Sequence, residues 1–195
     1  MKKTAKFDRQ EVIEKATNLY WKKGFHATSM RNLQEELDMR PASIYATFGS
    51  KEGIYKEALL FYFEKGQTKL KTCREKSHSP LQALKCFVVQ QVIQSQTQAP
   101  NGICLLVKTI TELTEKNNEL LKLAKDLLAN IEESFVQIIQ EAQHLGEINT
   151  QQDPQNLARY VQIQISGLRT YAKIHSDEKL LLELINKMFT HYPFQ

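Results

Sequence analysis

The apolar residues Ala124, Leu128, Ile131, Phe135, Ile138, Ala142 and Leu145 follow one another at alternating spacings of four and three. Only a helix brings residues so spaced onto one face. The stripe lasts roughly three heptads, the lower limit for a coiled coil, so it is read as a core helix of a bundle. The rest of the chain has the same character. With 7 glycines and 5 prolines in 195 residues, long runs carry neither, which favours helices over a turn-rich β fold. An all-α fold follows, with long helices over residues 81–98, 102–115, 118–145, 154–174 and 177–192 beyond a boundary at "REKSHSP". The chain is long enough for one large or two small domains with a proper core.

The first eighty residues are organised differently. A helix over 8–23 starts at Asp8, with Glu11 placed to close a capping box, and Gly24 stops it. A short second helix, capped by Thr28 or Ser29, carries Met30, Leu33 and Leu37 as its apolar stripe and breaks at Asp38. A third runs over 40–47 with Pro41 in its first turn, where a missing N–H costs nothing. Gly49 turns the chain, Ser50 caps, and a fourth helix runs over 51–76. The stretch "MRPASIYATFGSKEGIY" crowds hydroxyls and cations between the apolar anchors Ile44 and Phe48. Two short helices joined by a tight turn, the second rich in small polar residues, describe a helix-turn-helix. Its second helix enters the major groove of double-stranded DNA with its N-terminal residues against base edges. Surrounding hydroxyls and cations bind phosphates and supply salt-dependent affinity. The net charge of +4 and pI near 8.8 permit that partner.

"GFHATSMRNLQEELDMRPASIYATFGSKEGIY" resembles the DNA-binding segment of the TetR family of bacterial regulators. The resemblance rests on Gly24-Phe25, Thr28-Ser29, Leu33, Ile44-Tyr45, Phe48 and Ser50-Lys51-Glu52, within roughly the first 60 residues. It implies an all-helical homodimer. An N-terminal three-helix DNA-binding domain, residues 1–50, would be joined by the helix 51–76 to a C-terminal ligand-binding and dimerisation domain within 51–195. By position it places Arg40, Pro41, Ala42 and Ser43 at base readout, and Thr28, Tyr45, Thr47 and Lys51 at phosphates. Two positions depart from the family pattern. Asp38 stands where glycine is common, and Pro41 has no N–H to donate where a polar residue is common.

The last two helices are apolar around more than half their circumference, which requires burial on two sides. One side meets the domain and the other a second copy in a homodimer, with a monomer of larger core as the alternative. An unidentified small-molecule effector is expected in a cavity lined by Phe87, Gln90, Gln94, Phe135, Gln164 and Tyr171, although aromatic residues at such spacing also serve as plain core. Cys104, in "APNGICLLV", is either a thiol sensor in the first turn of a helix or a packing residue. Cys73, Cys86 and Cys104 lack metal-type spacing and are expected to be free thiols. Five scattered histidines and the lack of a Gly-rich phosphate loop imply no metal, no cofactor and no enzyme. No apolar run reaches membrane length, and "MKKTAKFDRQ" lacks the apolar core of a signal peptide, so a cytoplasmic protein that does not bind membranes is expected. The rival function, a helical adaptor that binds only protein, predicts no DNA affinity.

Overall fold

The computed structural model describes residues 8–98, 102–191 and 193–194. Among them are nine α-helices and no strand: α1 Arg9–Lys23, α2 Met30–Leu37, α3 Pro41–Phe48, α4 Lys51–Lys76, α5 Pro80–Gln98, α6 Leu105–Glu112, α7 Asn118–His144, α8 Pro154–Tyr171 and α9 Glu178–Thr190. A single 3-10 turn, Glu115–Asn117, precedes α7. The all-α expectation holds, and α4 spans the expected residues.

Local chemistry sets the ends. The Asp8 carboxylate accepts the backbone N–H groups of Gln10 and Glu11 at 2.9 and 3.4 Å. The Glu11 side chain pairs with Lys15 at 2.6 Å instead of closing a capping box. Ser29, not Thr28, caps α2, in a reciprocal box with Asn32. Asp38 ends α2 in the left-handed region at φ 51°. Three helices are shorter than expected. Gly102 has φ +68°, which is not helical, so α6 starts at Leu105. Beyond Tyr171 the hydrogen bonds tighten, with Lys173 donating to Thr170 and Ile174 to Tyr171, so α8 stops there. α9 stops at Thr190, because His191 is extended. The turn expected at Pro100 and Asn101, and the predicted helix end at Tyr192, lie outside the described residues.

The compact units divide the chain differently from the expected boundary at residue 50. The first takes the chain as far as Glu64 and adds Leu105–Lys125; the second comprises Lys65–Cys104 and Asp126–Gln195. The difference arises because α6 packs on α1 and buries Leu105, Leu106 and Thr109 in the first unit. In that unit Tyr20 meets Tyr55 edge-on at 4.6 Å, Tyr55 meets Phe25 at 5.0 Å, and Ala16, Leu33, Ile44 and Ile54 are fully buried.

In the second unit α5 packs against α8 and α9 around Leu84, Val88, Phe135, Ile139, Leu157, Val161, Leu181 and Ile185. Here α7 buries Val136 and Ile139 beside Phe135, Ile138 and Ala142. That face is wider than a coiled-coil seam and suits a bundle core. Leu145 lies past the end of α7 and is exposed, so the buried stripe ends at Ala142. On α8, Ile163 is 67 % exposed next to exposed Ser166 and Gly167, whereas α9 buries Leu181, Ile185, Met188 and Phe189.

Candidate nucleic-acid interface

Buried Ile44 and Phe48 pin one side of α3, and the helix turns its other side outward. Arg40 is its N-cap in extended conformation, and Pro41 opens the first turn. Arg40, Pro41, Ala42, Ser43 and Tyr45 are all exposed, so one helix edge presents a guanidinium, a hydroxyl, a phenol and a methyl group. Thr47 is half-buried and its hydroxyl donates to the Ser43 carbonyl at 2.8 Å.

Two glycine-dependent and cation-dependent contacts hold this helix in place. A Cβ at Gly53 would lie 2.0 Å from the Phe48 carbonyl oxygen, so only glycine lets α4 start so close behind α3. The Arg9 guanidinium lies 5.0 Å over the Phe48 ring and grips both oxygens of Glu57 at 2.5 and 2.7 Å, tying α1, α3 and α4 together. Lys51 opens α4, where free N–H groups favour an anion. Its ammonium rests 4.3 Å above the Phe25 ring, and partial burial lowers its pKa.

Thr28 requires a correction. It is fully buried and its hydroxyl donates to the Gly24 carbonyl at 2.6 Å, so its side chain has neither the exposure nor the proton for a phosphate contact. Its burial follows from closing the turn after α1. The exposed hydroxyl at that point is Ser29, which is occupied as the α2 cap.

A second group of residues, which sequence patterns did not single out, fixes the same turn. Glu112, the last residue of α6, accepts the backbone N–H of Phe25 at 3.1 Å and of His26 at 2.7 Å. One turn earlier, Lys108 donates to the carbonyls of Trp21 and Lys22 at 3.0 and 3.2 Å. Those oxygens belong to the last turn of α1, which no intrahelical donor reaches. Between them, Thr109 shares a buried 2.7 Å hydrogen bond with the Tyr55 hydroxyl. Gly24, at φ +89°, has no room for a Cβ, which would fall 2.4 Å from a Glu112 oxygen. The signal in the sequence was Gly24; its partner lies 88 positions away and no local pattern points to it.

Of the expected effector-pocket residues, the described ones range from the core of the second unit to its surface. Phe87 and Phe135 meet each other at 5.7 Å inside the core of the second unit. Tyr171 is exposed and stacks on His175 at 4.3 Å. Gln90 points its amide at the Cys86 sulfur, 3.6 Å away, and Gln164 is half-buried. The side chain of Gln94 lies outside the described residues. Cys104 sits immediately before α6 rather than in its first turn. No group of three or more His, Cys, Asp or Glu among the described residues could hold a metal ion, and no described helix is long and apolar enough to cross a membrane.

Residues 12–58 match the profile of bacterial regulatory proteins of the tetR family, and residues 80–188 match the tetracyclin repressor-like C-terminal domain. The HTH-type transcriptional repressor ComR of Escherichia coli K12 is 26 % identical over 190 residues, covering 96 % of this chain and 90 % of ComR. The HTH-type transcriptional regulator YezE of Bacillus subtilis is 23 % identical over 178 residues, covering 91 % of this chain and 92 % of YezE. Among solved structures, a cysteine mutant of the TetR family transcriptional regulator CifR, complexed with a 26-base-pair operator, has the same fold. It superposes with a TM-score of 0.85 at 23 % identity, over 96 % of this chain and 98 % of that one.

Proposed function

The chain belongs to the TetR family of bacterial regulatory proteins, and from that premise we propose that it is an effector-released repressor binding a pseudo-palindromic operator. It is a DNA-binding transcriptional regulator and works as a homodimer, as its family does. The observation that carries the finer reading is the outward edge of α3, Arg40 to Ser43, held rigid by buried Ile44 and Phe48. Arg40 reads guanine through its paired N–H groups, Ser43 hydrogen-bonds a base edge, and Pro41 and Ala42 make apolar contact. Tyr45, Thr47 and Lys51 take phosphates. Thr47 does so by releasing Ser43, and Lys51 by swinging off Phe25. Two copies present two recognition helices, so the operator is an inverted repeat with half-sites about 34 Å apart, or a small multiple of that.

The contact between copies is assigned to α8 and α9, through the face that bears Ile163, Ser166 and Gly167. Repression itself is inferred from the repressor ComR. An effector bound in the second unit would act through α4, which runs unbroken from Lys51 to Lys76 across the boundary between units. To release DNA it must bind the DNA-incompetent state more tightly. One polar anchor for it is the Gln162 side-chain oxygen, which is buried and has no hydrogen-bond partner among the described residues. The protein acts in the cytoplasm, where its DNA is.

Selection of bound fragments from a random DNA library by the purified protein tests this reading. Recovery of an inverted repeat whose half-site spacing matches whole helical turns supports it. Enrichment of no sequence, with binding that is equally weak to all DNA, refutes it.

A further inference from the structure

Two thiols remain that the regulatory function does not use. Cys73, in the last turns of α4, and Cys86, near the start of α5, bring their sulfur atoms to 2.7 Å of each other. Both are free cysteines and both belong to the second unit. Cys73 is 1 % exposed within the core, whereas Cys86 is only partly covered. The Gln90 amide donates toward the Cys86 sulfur at 3.6 Å. We propose that Cys73 and Cys86 are a reversible redox modification site, which a hydroperoxide closes into an intrachain disulfide that staples α4 to α5.

The chemistry divides between the two sulfurs by their surroundings. Burial, followed by the neighbouring Cys86 sulfur, pushes the Cys73 thiol up to about 12, so Cys73 is a poor first nucleophile. Cys86 has the access and the amide donor, and its thiolate attacks the outer peroxide oxygen. The S–O bond forms as the O–O bond breaks. Cys86 becomes a sulfenic acid, and the departing alkoxide takes the proton that Cys86 gave up, leaving as an alcohol. The Cys73 sulfur, already in contact, attacks the Cys86 sulfur. The S–S bond forms, the S–O bond breaks, and hydroxide leaves as water with the Cys73 proton. Two thiols have lost two electrons and the hydroperoxide has gained them. A dithiol reductant reverses the step by exchange. The disulfide closes the α4–α5 hairpin and so anchors the end of the helix that Lys51 begins.

The test is a thiol titration under denaturing conditions, after exposure of the native full-length protein to hydrogen peroxide and quenching. The wild type should lose two of its three thiols, migrate as a single chain on a non-reducing gel, and regain both with dithiothreitol. Its melting temperature should rise by roughly 5–10 °C on oxidation. Cys104→Ser should still lose two, and Cys86→Ser none. Cys73→Ala should stop at a sulfenic acid on Cys86 that dimedone traps; if that variant fails to fold, Cys86→Ser alone decides the pairing. Retention of all three thiols by the wild type, protection by Cys104→Ser, or a cross-link between chains would each overturn the proposal.

Discussion

The carboxylate of Glu112 receives the backbone N–H of His26 at 2.7 Å, across 86 residues of chain, and takes the N–H of Phe25 at 3.1 Å with its other oxygen. An acid from α6 therefore does the work that a capping residue does locally, for the turn leading into the helix-turn-helix. Removing it leaves two amide groups to find other partners, so Glu112→Ala should cost about 2 kcal/mol, and Glu112→Gln less because one oxygen acceptor remains. Gly24→Ala should cost a similar amount, since its Cβ would collide with that carboxylate and its φ is +89°. The clash disappears in the double variant, so its loss should fall short of the sum of the single losses. Urea unfolding followed by the fluorescence of the single tryptophan, Trp21 in α1, measures all three.

Asp38 gives a second prediction. It is the one non-glycine residue with positive φ among the described residues. Asp tolerates the left-handed region through its short polar side chain, and alanine does not. Asp38→Ala should lower stability by about 1 kcal/mol, whereas Asp38→Gly should leave it nearly unchanged. Both remove a negative charge beside the DNA-binding helices, so both should tighten DNA binding at low salt, an effect that fades as salt rises. Unfolding curves and binding titrations at two salt concentrations separate the two effects.

The tyrosines at the centre of the first unit predict alkaline behaviour. Burial pushes Tyr55 up to about 12, and it carries Tyr20 well above the ordinary phenol range. Below pH 10 both phenols are protonated in the folded and unfolded chains, and stability is complete. Above it the unfolded chain releases protons that the folded chain holds. Stability should then fall by about 1.4 kcal/mol per pH unit for each tyrosine, until the folded value is passed. Tyr55→Phe should remove about half of that slope between pH 10 and 12, and cost about 1 kcal/mol at pH 7 through the lost bond to Thr109. Denaturant midpoints at a series of pH values check both numbers.

What the sequence disclosed follows the range of the forces involved. The ends of α4 and the Ile44–Phe48 anchors depend on neighbours a few residues away and were legible, as was the α2 cap to within the pair Thr28 and Ser29. Thr28 was misplaced because family position was followed over burial; a hydroxyl in the turn closing α1 satisfies the Gly24 carbonyl before it can reach outward. The start of α6 was set too early because Gly102 looks like a helix start and is in fact a positive-φ turn. Glu112, Lys108 and the Cys73–Cys86 contact were invisible because each joins segments whose approach is decided by packing. The surroundings of the expected pocket residues were hidden for the same reason. Phe87 and Phe135 carry the spacing of core residues, and spacing alone does not say whether a ring faces a ligand or another ring.

The central claim is that α3 reads base edges while the start of α4 holds the backbone. Fluorescence anisotropy with the selected inverted repeat and a scrambled duplex, each titrated over a range of salt for wild type, Arg40→Ala and Lys51→Ala, tests it most directly. Arg40→Ala should lose about 1–3 kcal/mol on the repeat and little on the scrambled duplex. Lys51→Ala should weaken both duplexes alike and lower the salt slope by about one per contact removed. If Arg40→Ala left discrimination between the two duplexes intact, or Lys51→Ala left the salt slope unchanged, the assignment of α3 and the start of α4 to those roles would be contradicted.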